Sequence, residues 1–239
     1  MEITNVPLHQ PFSSLDIYHS NSDRQLPGLV ILPGGSYNRV SERDSERVAI
    51  TFTSHAMQTF VVRYPVMEHK DYQDAKQAVS QAFDYLVQHA QEFDLAVDKL
   101  GIIGFSAGGQ LAAAYSNLPA TKARFTALGY PVITTALDQH MGVTTEDVSQ
   151  LVSSTTPPTF IWGSNKDQLT PFTDHVLPYV QALDNKHVPF ELHQFATGGH
   201  GMALANPYTA IVNRQRQDSH MALWLPLILD WLHQLNILE

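Results

Sequence analysis

The sequence predicts an α/β domain, a mostly parallel central sheet with helices on both faces. Three observations carry that expectation. Short apolar runs of strand length alternate with longer segments whose apolar residues recur every three or four positions. The runs read as strands buried on both faces, the pattern of a parallel sheet covered by helices. One of them, Leu100-Gly101-Ile102-Ile103, leads through Gly104-Phe105-Ser106-Ala107-Gly108 into a helical segment, a strand–turn–helix junction.

The elements follow in order. Residues 11–19 are expected to supply an antiparallel edge strand. Residues 28–32 form a buried strand that ends in the glycine loop Pro33-Gly34-Gly35-Ser36-Tyr37. A helix over 42–57 precedes the apolar strand Phe60-Val61-Val62. Residues 71–93 place Ala75, Val79, Ala82, Phe83 and Leu86 at three- and four-residue spacing, an amphipathic helix. A strand over 100–104, a helix containing Leu111-Ala112-Ala113-Ala114 and a strand over 124–130 come next. Residues 134–156 are polar and weakly periodic, with a short helix start at 144–147, and are the one lid candidate. A strand over 158–162, a helix over 174–185, a strand over 189–195 and a helix over 219–235 complete the chain. Without repeats, low-complexity segments or a linker, residues 1–239 are expected to form one domain with a small cap or none.

Composition narrows the function classes. A chain of 239 residues, 44% hydrophobic and 15% charged, suits one soluble domain with a large core. Its net charge of -9, from 23 acidic and 14 basic residues, disfavours nucleic acid and anionic membranes as partners. With no cysteine, disulfides, thiolate nucleophiles and zinc–thiolate sites are excluded, and a reducing compartment is favoured. The N-terminus lacks the basic and apolar regions of a signal peptide, and the apolar stretch 221–229 is broken by Pro226 and too short to span a membrane. A cytoplasmic location is the expectation. Twelve histidines show neither His-x-x-x-His nor His-Glu-x-x-His spacing, so no metal site is expected. Residues 104–109 lack the Lys-Ser/Thr ending of a phosphate loop, and the aromatic residues are too dispersed to stack bases.

The Gly-x-Ser-x-Gly turn holds Ser106 clear of the sheet, and side chains at Gly104 or Gly108 would meet neighbouring backbone as the chain reverses. A serine nucleophile needs an imidazole within hydrogen-bond reach and a carboxylate to orient that imidazole. Two loops after later strands fit in chain order. Gly163-Ser164-Asn165-Lys166-Asp167 presents Asp167, and Ala196-Thr197-Gly198-Gly199-His200-Gly201 presents His200. The carboxyl ends of parallel strands share one sheet edge, where the three side chains can converge. Asp174 reads as a capping or solvent residue, and His193, inside a strand, as structural. Acyl transfer also needs backbone donors for the oxyanion. Ala107, after the serine, is one; the other is expected in the Gly34-Gly35-Ser36 loop.

With these parts the chain resembles the α/β-hydrolase superfamily, and within it the small carboxylesterases grouped as acetyl, xylan esterase-like and feruloyl esterase-like enzymes. The matching segments are Leu32-Pro33-Gly34-Gly35-Ser36-Tyr37, Gly104-Phe105-Ser106-Ala107-Gly108-Gly109, Thr156-Pro157-Pro158-Thr159-Phe160-Ile161-Trp162, and Val188-Pro189-Phe190-Glu191-Leu192-His193 leading to Gly199-His200-Gly201. The resemblance implies an α/β-hydrolase fold, Ser106 as nucleophile, Asp167 as acid, His200 as general base, and the amides of Gly35 and Ala107 as oxyanion donors. It also implies an acyl-enzyme route without metal or organic cofactor. Leu32-Pro33 stands where many relatives carry histidine, away from the hormone-sensitive-lipase-like branch.

The expected substrate is a small-molecule ester with a short acyl group, acetyl first, on a soluble or sugar-like alcohol. The polar segment 134–156 argues against an interfacial lipase. Gly34, Ser36, Tyr37 and Asn38 are candidate pocket residues, whereas Trp162 is expected in the core. Activity should fall at acid pH as His200 protonates. Two rival readings stand beside this one: a serine peptidase of the prolyl-oligopeptidase type, without room for its usual propeller, and a hydrolase-fold binding protein without catalysis. Oligomeric state is left open.

Overall fold

In the computed structural model, which describes residues 1–210 and 216–239, eight strands form one sheet. They are β1 (Glu2–Pro7), β2 (Ser14–His19), β3 (Leu26–Leu32), β4 (Gln58–Arg63), β5 (Leu95–Phe105), β6 (Thr126–Gly129), β7 (Thr159–Ser164) and β8 (Phe190–Phe195). Their spatial order is β1-β2-β4-β3-β5-β6-β7-β8. From β4 to β8 every neighbouring pair is parallel; β1 and β2 are antiparallel additions at one edge. The helices are α1 (Glu46–Thr53), α2 (Tyr72–Gln88), α3 (Ala107–Ser116), α4 (Asp138–Met141), α5 (Val176–Asn185) and α6 (Trp224–Gln234).

Period-two alternation sends neighbouring strand residues to opposite faces, and each face has its own core. Val30, Leu32, Phe60, Val62 and Ile102 pack with Ala78, Val79 and Phe83 of α2 and Leu111 of α3. Leu29, Ile31, Val61, Ile103 and Phe105 pack with Val48 and Phe52 of α1 and Trp224 and Ile228 of α6. This is the mostly parallel, two-sided sheet expected from the sequence. No helix among the described residues is long and apolar enough to cross a membrane.

The boundaries differ where the chain is polar or where proline intervenes. The segment expected as an edge strand contributes β2, which is second from the edge; β1, exposed at nearly every position, lies outside it. The helix expected over 42–57 shortens to α1, because residues 41–45 are tied to the glycine loop. The Ser41 amide donates to the Gly34 carbonyl (2.9 Å), and the Asp44 carboxylate accepts the Gly34 amide (3.2 Å). Helices α5 and α6 start later than periodicity implies. Pro178 and Pro226 each fall in the first turn, where amides have no intrahelical partner to lose.

Residues 134–156, the lid candidate, fold into 3-10 turns at Thr135–Leu137 and Val148–Leu151 around α4. Side chains fasten them to the body. Gln110 of α3 donates to the Thr145 hydroxyl (2.9 Å), Tyr72 of α2 donates to Glu146 (3.1 Å), and Asn117 donates to the Val148 carbonyl (3.1 Å). The segment packs over α2 and α3.

Candidate active site

Strand β5 delivers Ser106 to the carboxyl edge of the sheet, and α3 starts at the next residue. The turn between them is tight enough that a Cβ on Gly108 would lie 2.1 Å from the Leu32 carbonyl oxygen. Ser106 itself adopts φ 55° and ψ -120°, a conformation that costs energy for a non-glycine residue. Three backbone bonds hold it there. Its amide donates to the Gly129 carbonyl (3.0 Å), and its carbonyl accepts from Gln110 (3.2 Å) and Val132 (3.0 Å).

The loops after β7 and β8 bring Asp167 and His200 to the same edge. Ser106 Oγ lies 2.8 Å from His200 Nε2, and His200 Nδ1 lies 2.8 Å from Asp167 Oδ2. Asp167 is almost fully buried. Its Oδ1 accepts the amides of Leu169 and Thr170, both at 2.9 Å, and its Oδ2 accepts the Thr170 hydroxyl at 2.9 Å. Burial alone pushes the Asp167 carboxyl up; the hydrogen bond and charge of His200, with the Thr170 donors, outweigh it and hold the group below the usual carboxylate range. With Nδ1 protonated toward Asp167, Nε2 is left to accept the Ser106 proton.

A cavity of about 280 Å³ opens over Ser106 and His200, and Gly34, Gly35, Ser36 and Asn38 contribute to its lining. The Gly34 amide is committed to Asp44. The amides of Gly35 and Ala107 have no acceptor among the described residues, so both remain available to a ligand oxygen. Gly35 has φ 139°, and a Cβ there would stand 1.9 Å from the Arg39 carbonyl oxygen, so this backbone path requires glycine.

Tyr37, a candidate pocket residue, is instead fully buried in the core. Its hydroxyl donates to Gln110 (3.2 Å), and its ring meets Tyr64 and Tyr72 edge-on. The residue is large and aromatic, and its place beside the glycine loop concealed that its side chain turns inward. Trp162 is in the core, stacked on Trp224 with centroids 4.4 Å apart. Asp174 is exposed, and the half-buried His193 pairs with Glu191 (2.7 Å).

Sequence reasoning missed Thr170, Tyr130 and Asp44. Thr170 could have been suspected from its place three residues after Asp167. Tyr130 ends the β6 segment, sets its ring edge against His200 (5.1 Å), accepts the Ala203 amide (3.0 Å) and donates to Asp44 (3.4 Å). Burial raises the Asp44 carboxyl, against the lowering effects of Arg43, Ser41 and the Gly34 amide. Among the described residues, no group of three or more His, Asp and Glu side chains is placed to hold a metal ion.

A serine on a strained strand-to-helix turn, bonded to a histidine that is bonded to a buried aspartate, at the carboxyl edge of a two-sided parallel sheet, defines an α/β hydrolase. A protein-family model described as BD-FAE matches residues 15–129. The chain is 27% identical over 223 residues to endo-1,4-beta-xylanase B of Butyrivibrio fibrisolvens (81% of this chain, 35% of that protein). It is 26% identical over 196 residues to the acetylxylan esterase of Xylanibacter ruminicola (72% of this chain, 40% of that protein). The chain thus spans well under half the length of both curated relatives. Among solved structures, the carboxylesterase Cest-2923 from Lactobacillus plantarum WCFS1 superposes with a TM-score of 0.91 at 26% identity, covering 100% of this chain and 99% of that one. The chain belongs to the α/β-hydrolase superfamily, and the solved structures it resembles include a carboxylesterase of its own length.

Proposed function

We propose that this protein is a cytoplasmic serine carboxylesterase that hydrolyses short-acyl esters, acetyl first, of a soluble or sugar-like alcohol. One observation carries the reading: the continuous hydrogen-bonded series Ser106 Oγ, His200 Nε2, His200 Nδ1 and Asp167 Oδ2, with both contacts at 2.8 Å. The acetylxylan esterase among the relatives supports the acyl group and the kind of alcohol, and the small cavity supports a small ester. The absence of cysteine and the net charge of -9 support the compartment and a small-molecule partner, with neither nucleic acid nor membrane.

His200 Nε2 takes the Ser106 proton as Oγ attacks the ester carbonyl carbon. The carbonyl oxygen becomes an oxyanion and accepts hydrogen bonds from the amides of Gly35 and Ala107. Asp167 keeps the imidazolium oriented and offsets its charge. The carbon–oxygen bond to the alcohol then breaks, and His200 passes the proton to the departing alcohol oxygen. Water enters, gives a proton to His200 and attacks the acyl-enzyme. The second oxyanion collapses, Ser106 recovers its proton, and the acid leaves.

A fluorophosphonate probe should label the wild type and fail to label Ser106→Ala, and para-nitrophenyl acetate should be turned over faster than long-chain esters. An unlabelled, well-folded wild type would favour the binding-protein reading. Faster turnover of long acyl chains would overturn the short-acyl assignment.

A further inference from the structure

The cavity over Ser106 carries charge against the trend of the chain. The protein has a net charge of -9, yet Arg39, Arg43 and Arg216 all line this cavity. Asp44 is the one carboxylate in the lining among the described residues. Asp167 lies behind His200 and is engaged with it. Arg216 donates Nη1 to the carbonyl oxygens of His200 (3.2 Å) and Gly201 (2.8 Å), which places its charge beside the His200 loop. Arg43 is different. It has no hydrogen bond or ion pair among the described residues, and its Nη1 is buried without an acceptor. A buried, unpaired guanidinium nitrogen is costly, and an acceptor brought by a ligand removes that cost. Arg39, exposed, likewise has no ion pair there.

The side of the ester that meets these groups follows from the reaction. His200 must protonate the departing oxygen, so the alcohol lies against the His200 loop. Arg43 Nη2 is 3.4 Å from where a Cβ on Gly201 would stand, so its guanidinium flanks that same loop. The Asp44 carboxylate in the lining repels a doubly charged ligand more strongly than a singly charged one.

Resting on the esterase reading, we propose that the site selects esters whose alcohol portion carries a carboxylate, held by Arg43 with Arg39. A guanidinium offers the planar pair of donors that a carboxylate accepts. The carboxylate binds the free enzyme and stays in place through acylation, leaving with the alcohol.

The test compares para-acetoxybenzoate with its methyl ester, each rate normalised to that ester's own alkaline hydrolysis. A second pair, para-nitrophenyl hemisuccinate and para-nitrophenyl butyrate, places the carboxylate on the acyl side. The wild type should favour the carboxylate over the methyl ester by about tenfold in kcat/KM, chiefly through KM. Arg43→Gln and the exposed Arg39→Gln should each lower that ratio, and Arg43→Lys should retain part of it. Equal use of the two acetates by the wild type overturns the proposal, as does a ratio that neither glutamine variant moves. Preference confined to the hemisuccinate overturns the alcohol-side assignment. Turnover of the neutral esters with no charge preference leaves the esterase reading standing and removes this one alone. Failure of all four esters, with no fluorophosphonate labelling of Ser106, removes both.

Discussion

Thr170 touches both halves of the charge relay beneath Ser106. Its hydroxyl donates to Asp167 Oδ2 and lies 3.1 Å from His200 Nδ1, while its amide donates to Asp167 Oδ1. On the proposed mechanism it is a positioning residue, because it acts through Asp167 and never meets the ester. Removing its hydroxyl takes away one of the donors that hold the carboxyl below its usual range, so Asp167 then protonates at higher pH. Thr170→Val should therefore lower kcat roughly two- to tenfold at neutral pH, and its urea midpoint should fall less steeply than that of the wild type on acidification through the carboxylate range, because less of the Asp167 depression is left to lose. Thr170→Ser should restore both. A lower kcat with an unchanged acid dependence of stability would mean that Thr170 serves only packing. The residues of this relay were unequally legible. Ser106, Asp167 and His200 could be read because each stands in the turn or loop that follows a strand, in the order acyl-transfer chemistry requires. Asp44 and Arg43 could not, because they fall within a segment whose spacing reads as helix and only the folded glycine loop gives them a role.

Among the elements, legibility followed burial. Strands β3, β4, β6 and β7 and residues 100–105 of β5 are buried on both faces almost throughout, so their apolar runs declare them. Strand β1 pairs with β2 and touches the core through Val6, and an exposed edge strand has little hydrophobic pattern to show. Helix starts were displaced by contacts that periodicity does not encode. At α5 the residue before the helix is His175, buried, whose Nδ1 accepts the amides of Ile133 (3.1 Å) and Thr134 (3.3 Å). The imidazole thereby ties α5 to the loop after β6. Burial lowers the pKa of His175, with Asp174 and Asp167 pulling the other way, so the fold prefers it neutral. For a group whose folded pKa is depressed, the stabilisation is complete above the ordinary value of 6.5 and is lost as pH falls through the lower folded value. The urea midpoint should accordingly drop on acidification below that ordinary value, and His175→Asn should show a shallower drop. Equal slopes in the two proteins would remove His175 from the acid sensitivity.

At the scale of the whole molecule, the two cores differ in what they hold up. The α2–α3 face supports the segment at residues 134–156, while the α1–α6 face reaches the His200 loop through Trp224. Trp224 is fully buried and stacks on Trp162, and its Nε1 donates to the Ala203 carbonyl (3.0 Å). The Ala203 amide in turn donates to the Tyr130 hydroxyl, and the Tyr130 ring stands against His200. A packing residue on α6 is thus joined to the imidazole through one loop. Trp224→Ala should cost about 3–5 kcal/mol of stability, the loss of a large buried aromatic. Trp224→Phe keeps an aromatic ring but leaves the buried Ala203 carbonyl without its donor and a small void beside it, at about 1–3 kcal/mol. Urea unfolding measures both. Because the same side chain anchors the loop that carries His200, Trp224→Ala should also lower kcat under conditions where the variant remains folded, and more than Trp224→Phe does. A stability loss with unchanged kcat would show that the His200 loop holds its geometry without the core beneath it.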